Sequence, residues 1–233
     1  IEMYMLTQLF NKLPIEVVEI DFPYFLDKQN LDQRQHDFVF VRDLFVSDQN
    51  GKIIISKFSE EARQVEADVM QAMLESMGYK TIRIPEDSSA TAEGGEFYLC
   101  PEDKILFSGE CRNNLKGAEW VAEEFNVDEL VIMKSKAFHL DTLFTPVLNK
   151  ENRLAAMIAC TSLMENDSVN NLKSFAKRTN IELVEVEPED AIGTDKELGE
   201  FAVNCQPLPG YLIGPTRFRS NKVAPLLKEL EVM

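Results

Sequence analysis

Histidine is nearly missing from this chain: His36 and His139 are the only two in 233 residues. Proton-transfer chemistry near neutral pH therefore has two imidazoles to choose from. Cysteine is scarce as well. Cys100, Cys111, Cys160 and Cys205 are widely separated and form no Cys-x-x-Cys pair, so neither a zinc ribbon nor any other metal site is expected. Such cysteine usage suits a reducing cytoplasm. Positive charge is in deficit, with 24 Lys and Arg against 40 Asp and Glu and a formal net charge of −16. Nucleic acids and anionic membranes both demand a basic face, so neither is expected as a partner. No apolar run approaches a membrane span and no basic-then-apolar leader is visible. The chain starts at Ile1 rather than at methionine, and the natural polypeptide is expected to be longer.

What is present is ordinary for a globular protein, 45% hydrophobic and 27% charged, in a length that fits one large domain or two small ones. Apolar spacing predicts a helix over 2–12, stopped by Pro14, and a strand over 17–20. A polar stretch, 27–35, leads to Phe38-Val39-Phe40-Val41, then Asp48-Gln49-Asn50-Gly51, then Lys52-Ile53-Ile54-Ile55. Two apolar runs around Asn-Gly predict a β-hairpin. Ser59 with Glu60 and Glu61 opens a helix that runs to about residue 77 and ends at Gly78. The same order then returns: strand 79–85, hairpin 95–99 with 105–107, helix 115–125 and strand 129–133. It returns again as hairpin 140–148 with 154–159, helix 167–179 and strand 181–186. A fourth hairpin, 201–208 with 211–214, precedes a helix over 221–230 and a last strand at 230–233.

The unit of hairpin, helix and strand recurs at intervals of roughly 45 to 60 residues, as in ring and array architectures. Five helices and five following strands are matched by only four hairpins. A closed five-fold ring would need one more, split between segments before Ile1 and after Met233. The expected fold is therefore α/β: a single domain over 1–233 forming a five-bladed α/β propeller with a pseudo-five-fold repeat and one blade incomplete. In the third hairpin, Ala137-Phe138-His139-Leu140-Asp141 joins an imidazole to a carboxylate two residues on. On a strand, i and i+2 share a face, so the pair reads as a base with an anionic neighbour. The alternative is a strand-edge histidine beside a solvated aspartate.

The repeat and its polar residues resemble the guanidino-group-modifying superfamily, or pentein fold, which includes arginine deiminase, dimethylarginine dimethylaminohydrolase and the amidinotransferases. The resemblance spans essentially the whole chain and is nearest the compact deiminase and dimethylaminohydrolase branch. Asp37-Phe38-Val39-Phe40-Val41-Arg42-Asp43 is similar to the family's first acidic strand. That implies that Asp37 and Asp43 grip a substrate guanidinium, since carboxylates accepting paired N–H bonds hold a planar cation best. Arg42 stands where one branch carries glutamate and the deiminases carry arginine. Ala62-Arg63-Gln64-Val65-Glu66 resembles the arginine-bearing helix start, which implies that Arg63 pairs with a substrate carboxylate. Glu93-Gly94-Gly95-Glu96 resembles the family's Glu-Gly-Gly-Asp, with Glu93 orienting the histidine or substrate and the glycines admitting close backbone approach. Glu96 departs from that pattern by one methylene. Arg112-Asn113-Asn114 resembles a segment whose arginine also reaches the substrate carboxylate. The His139 strand resembles the family's catalytic one, implying that His139 is the general acid/base and that Asp141 binds the guanidinium.

The implied reaction is hydrolysis of a guanidino C–N bond in arginine or a derivative. A cysteine thiolate attacks the guanidinium carbon, an amine leaves, and water releases a citrulline-type urea from the thiouronium adduct. The resemblance implies no metal and no organic cofactor; the partner is a small-molecule guanidino substrate, and a homo-oligomer is compatible with it. The family's cysteine lies near the C-terminus, so the nucleophile is expected outside these residues, with Cys205, on an inner strand, as the fallback. An amidinotransferase or a non-catalytic pentein, like the ribosome-binding one, is the alternative. The loop 26–36 is expected to choose the substrate.

Overall fold

A computed structural model describes residues 8, 10–18, 36–135 and 137–233. The chain divides into two units, Ile1–Arg34 and Gln35–Met233. In the first, the described residues show the end of a helical turn, where Leu13 N donates to Phe10 O at 2.9 Å. Residues 16–18 are not in a strand. Most of the predicted helix 2–12, the predicted strand at 19–20 and the loop 26–35 lie outside the described residues.

The second unit repeats one motif. The hairpin of β1 (Phe45–Ser47) and β2 (Lys52–Ile55) is followed by helix α1 (Gln64–Ser76) and by β3 (Lys80–Arg83), which returns parallel to β2. A parallel return needs such a crossover, which is why the helix lies between the strands. The second copy is β4 (Phe97–Cys100), β5 (Ile105–Gly109), α2 (Leu115–Glu124) and β6 (Glu129–Met133). The third is β7 (Phe144–Leu148), β8 (Leu154–Ala159), α3 (Asn166–Thr179) and β9 (Glu182–Glu185). A short hairpin without a sequence signal, β10 (Gly193–Thr194) with β11 (Glu197–Leu198), comes next. The fourth copy is β12 (Gln206–Leu208), β13 (Tyr211–Ile213) and α4 (Val223–Glu229). After α4 the chain rejoins β13: Leu212 N donates to Met233 O at 2.8 Å and Met233 N to Gly210 O at 3.1 Å, the bonding of a parallel neighbour. Three mixed three-stranded sheets are thus complete and a fourth begins, with no sheet closed on itself among the described residues.

Local chemistry sets the turns. In the first hairpin, Asp48 Oδ1 accepts from Asn50 N at 2.8 Å and Lys52 N at 2.9 Å, and Gly51 takes a φ of 101°. Asn114 caps α2, its side chain accepting from Gly117 N. The central strands β5 and β8 have neighbours on both sides and are buried almost throughout, hence their near-continuous apolar sequence. Phe107 on β5 joins sheets to helix, with ring centroids 4.9 Å from Phe144 and 5.5 Å from Phe175. A second cluster, with Ile54, Phe97, Leu106 and Val121, ties the first copy to the second.

Three predicted strand segments are turns instead. Phe38-Val39-Phe40-Val41 spans two consecutive 3-10 turns, His36–Val39 and Val41–Leu44, and β1 begins only at Phe45. Val39, Phe40 and Val41 are exposed, so this apolar run does not mark a buried strand. His139 stands outside β7, just before the 3-10 turn Leu140–Thr142. Cys205 precedes β12 rather than lying on it. The reason is shared: the chain enters each of these three hairpins, and the second hairpin as well, through a tight turn. Asp43 N bonds to Phe40 O at 3.0 Å, Glu96 N to Glu93 O at 3.0 Å, Thr142 N to His139 O at 3.0 Å, and Asn204 N to Phe201 O at 2.9 Å. These turns carry the polar residues of the next section.

Phe107→Ala should lower unfolding stability by about 3–5 kcal/mol, whereas Leu198→Ala, at a position 75% exposed, should change it by less than about 0.5 kcal/mol. Urea unfolding of the two variants checks this, and similar midpoints would contradict the packing described.

Candidate active site

The entry turns bring Asp43, Glu93 and His139 together. His139 is only 3% exposed. Its Nε2 lies 3.1 Å from Glu93 Oε2 and its Nδ1 3.4 Å from Asp43 Oδ1. Glu93 is itself held in place: its Oε1 accepts from Ser59 N at 3.0 Å and Ser59 Oγ at 2.9 Å. The Glu93 backbone N donates to Asn113 Oδ1 at 2.6 Å. Asp43 Oδ2 accepts from Arg63 Nη1 at 2.9 Å, and Arg63 Nε and Nη2 reach Glu66 Oε2 at 3.1 and 3.0 Å. The result is a buried row of alternating charge, Glu93, His139, Asp43, Arg63, Glu66.

The two glycines make this possible. A Cβ at Gly95 would stand 2.4 Å from Asp43 Oδ1 and 2.8 Å from His139 Nδ1; one at Gly94 would stand 2.0 Å from the Arg42 carbonyl oxygen. The close approach that the sequence assigns to a ligand is made, in the structure, by neighbouring turns of the protein. Glu96, one methylene longer than the family's aspartate, is fully buried. It accepts from Arg112 N at 2.6 Å, Cys111 N at 3.2 Å and Leu140 N at 2.9 Å, so it fastens the turn that carries His139. Burial pushes its carboxyl above the ordinary range despite those bonds.

Burial disfavours the His139 imidazolium, but the Glu93 hydrogen bond and the charges of Asp43, Asp141 and Glu96 outweigh it and raise its pKa above the ordinary 6.5. Burial alone would raise Glu93; its bonds from His139 and Ser59 win and hold it below the ordinary range. Asp141, also buried, lies within the field of His139 and Asp43, and burial raises its carboxyl against the lowering charge of Arg42.

The other predicted residues divide. Asp37 is exposed; its carbonyl lies 3.4 Å from Arg63 Nη2, and its charge acts on Glu66. Arg63 is buried and committed to Asp43 and Glu66. Arg112 pairs with Glu60 and lies over the Phe138 ring at 4.4 Å, and that ring in turn sits 4.3 Å from the His139 imidazole. Ser59, Cys111, Arg112, Ala137 and Phe138 line a cleft of about 480 Å³. Ser59 and Phe138 touch Glu93 and His139, so the cleft adjoins the buried pair. Cys205 is buried, its Sγ donates to Ala202 O at 3.0 Å, and burial pushes its thiol up to about 12. Burial likewise raises Cys100, Cys111 and Cys160, and of the four only Cys111 is exposed. Among the described residues no group of three or more His, Cys, Asp and Glu is arranged to hold a metal ion, and no helix is long and apolar enough to cross a membrane.

Ser59, Glu66, Asn113 and Arg42 were not legible as site residues. Ser59 reads in sequence as a helix cap, yet its hydroxyl serves Glu93 and the helix α1 starts five residues later. Glu66 follows Arg63 at a helical i+3 spacing, the one signal that could have linked them.

Because its folded-state pKa is raised, His139 should contribute stability that is fully present below about pH 6.5 and lost as pH rises through the folded-state value. Imidazole NMR reads this directly, with two histidines to separate. Glu93→Gln should lower the His139 value, and no change would contradict the pairing. Gly95→Ala should cost about 1–3 kcal/mol by overpacking and should move the same imidazole signal.

The profile of the family described as N,N dimethylarginine dimethylhydrolase, eukaryotic, matches residues 2–198. No curated protein sequence matches the chain. Among solved structures, the N-terminal domain of ArgZ, an arginine dihydrolase from the ornithine-ammonia cycle in cyanobacteria, is similar in a substrate-bound cysteine-to-serine mutant. The TM-score is 0.67 at 21% identity, covering 84% of this chain and 67% of that one. Apo ArgZ gives 0.66 at 21% identity over 83% of this chain and 30% of its own. DDAH from Pseudomonas aeruginosa, a cysteine-to-serine mutant complexed with citrulline, gives 0.62 at 18% identity over 94% and 83%. This chain therefore spans about two thirds of the ArgZ N-terminal domain and under a third of ArgZ. At these identities the structural likeness speaks for the α/β fold. The family match runs through both units and all of the residues gathered around His139, and by it the chain belongs to the N,N-dimethylarginine dimethylhydrolase family of the pentein, guanidino-group-modifying superfamily.

Proposed function

We propose that the protein hydrolyses a guanidino C–N bond in arginine or an arginine derivative and releases a citrulline-type urea. The observation that carries this reading is the buried imidazole of His139 between Glu93 and Asp43, kept more basic than usual beside an open cleft. Such a group can give a proton to a leaving amine and take one from water. Membership of the family and the arginine- and citrulline-related activities of the structural relatives support it.

In this reading a cysteine thiolate adds to the guanidinium carbon. The amine departs with a proton from His139, leaving a thiouronium adduct. His139 then deprotonates a water that attacks the same carbon, and the urea leaves as the thiolate is restored. Glu93 orients the imidazole, Asp43 and Asp141 balance the substrate cation, and Arg112 at the cleft meets a carboxylate. Arg63 holds Asp43, with Asp37 beside it. In this reading the nucleophile is a cysteine outside these residues, with Cys205, buried and bonded to Ala202 O, as the fallback. We also assign residues 1–233 to one catalytic domain, supported by a family match over 2–198 that takes in most of each unit, and propose that the four described copies of the repeat belong to a five-bladed propeller.

Full-length protein incubated with arginine, agmatine and methylated arginines should yield a ureido product, measured colorimetrically, and His139→Gln should slow turnover by about 10²–10⁴-fold. Amidino transfer to added glycine in place of urea would shift the assignment to an amidinotransferase. Absence of product across the panel would sink the hydrolase reading.

A further inference from the structure

A single guanidinium, that of Arg42 in the first copy of the repeat, touches the other three. It rises from the turn before β1. Its Nη2 donates to Phe97 O at 3.1 Å at the start of β4, and its plane lies over the Tyr98 ring at 4.0 Å. Its Nη1 donates to Cys205 O at 3.1 Å and to Gln206 Oε1 at 3.4 Å, at the start of β12. Its Nε lies 3.4 Å from Asp141 Oδ2, in the turn before β7. That last contact is one of charge: Nε is buried and has no hydrogen-bonding alignment with an acceptor. Asn204, beside Cys205, also acts on Asp141 and, like Arg42, opposes the effect of burial on its carboxyl.

We propose that Arg42 is a positioning residue, whose guanidinium is locked by the carbonyls of Phe97 and Cys205 and fixes the place of the Asp141 carboxylate in the candidate site. The proposal rests on the reading above, in which Asp141 meets a cationic substrate. Only a planar fork can donate to two carbonyls, stack on a ring and present a third nitrogen to a carboxylate; an ammonium is a point donor on a flexible stem. Tyr98 Oη also donates to Cys205 O, at 3.1 Å, so the turn before β12 keeps one donor when Arg42 is changed. Its loss therefore falls on Asp141 more than on the fold. Arg42 also supplies the largest charge opposing the effect of burial on that carboxyl.

A double-mutant cycle in the full-length protein tests this, with Arg42→Lys, Asp141→Asn and the pair. Arg42→Lys should raise KM for the guanidine turned over on the order of tenfold, within the coupling expected of touching residues, with kcat nearly unchanged. In the Asp141→Asn background it should have no further effect. An undiminished effect there would mean that Arg42 acts elsewhere and would overturn the proposal. Arg42→Gln repeats the cycle if the lysine variant does not fold, with the His139 imidazole signal as the check. If the wild-type protein turns over no guanidine, the functional reading falls separately. The positioning is then read from the carboxyl NMR titration of Asp141, which faces Arg42, His139, Asp43, Glu96 and Asn204. That titration should move up in Arg42→Lys, and an unmoved one would refute the role.

Discussion

A buried imidazole between two buried carboxylates is the constraint on which the rest of this structure depends. His139, Glu93 and Asp43 are each at most 5% exposed, so none can rely on water for its charge. Each is tolerable only because the others are there, and removing one partner of such a set typically costs about 3–5 kcal/mol. The row extends outward, Arg63 balancing Asp43 and Glu66 balancing Arg63. The electrostatic cost of placing an ionisable group away from solvent is met by a sequence of neighbours rather than by one. The same arrangement raises the affinity of His139 for its proton and lowers that of Glu93. The imidazole is thereby oriented by neighbours that the fold itself supplies.

That arrangement depends on short turns. Had residues 38–41 or 139–142 continued as strands, alternate side chains would have pointed to opposite faces. The 3-10 turns instead present Asp43, Glu93 and His139 from three copies of the repeat toward one another, and Gly94 and Gly95 remove the atoms that would keep them apart. Glu96 and Asn113, both buried, bind backbone N–H groups of the segments that hold His139 and Glu93. Behind the turns, the strands of each copy and the Phe107, Phe144 and Phe175 contacts give a rigid support.

Much of the fold was legible in the sequence. The hairpin at Asp48-Gln49-Asn50-Gly51, the strands at 129–133 and 154–159 and the helices α1, α2 and α3 follow from periodicity and turn chemistry, which are local properties. The failures are also of one kind. Phe38-Val39-Phe40-Val41 has the composition of a strand, but it is the turn into β1 that decides its conformation. His139 has an extended backbone, φ −97° and ψ 156°, without a strand partner, because the hairpin begins only at Phe144. The β10–β11 hairpin has two residues in each strand, too few for any alternation to register.

By itself the sequence determined the order of hairpin, helix and strand, and it distributed Asp43, Glu93 and the His139–Asp141 pair over successive copies, though it read the last of these as a strand. It could do so because helix and strand propensity act over a few residues. Tertiary structure decided which charges meet. Glu93 reaches His139 across 46 positions and Arg42 reaches Cys205 across 163, separations over which no periodicity carries information. It also decided that Arg63 pairs with Asp43 and Glu66, that Asp37 is exposed, and that Arg42 stands beside Asp141. Burial is what turns those meetings into shifted protonation, and burial exists only once the copies have packed.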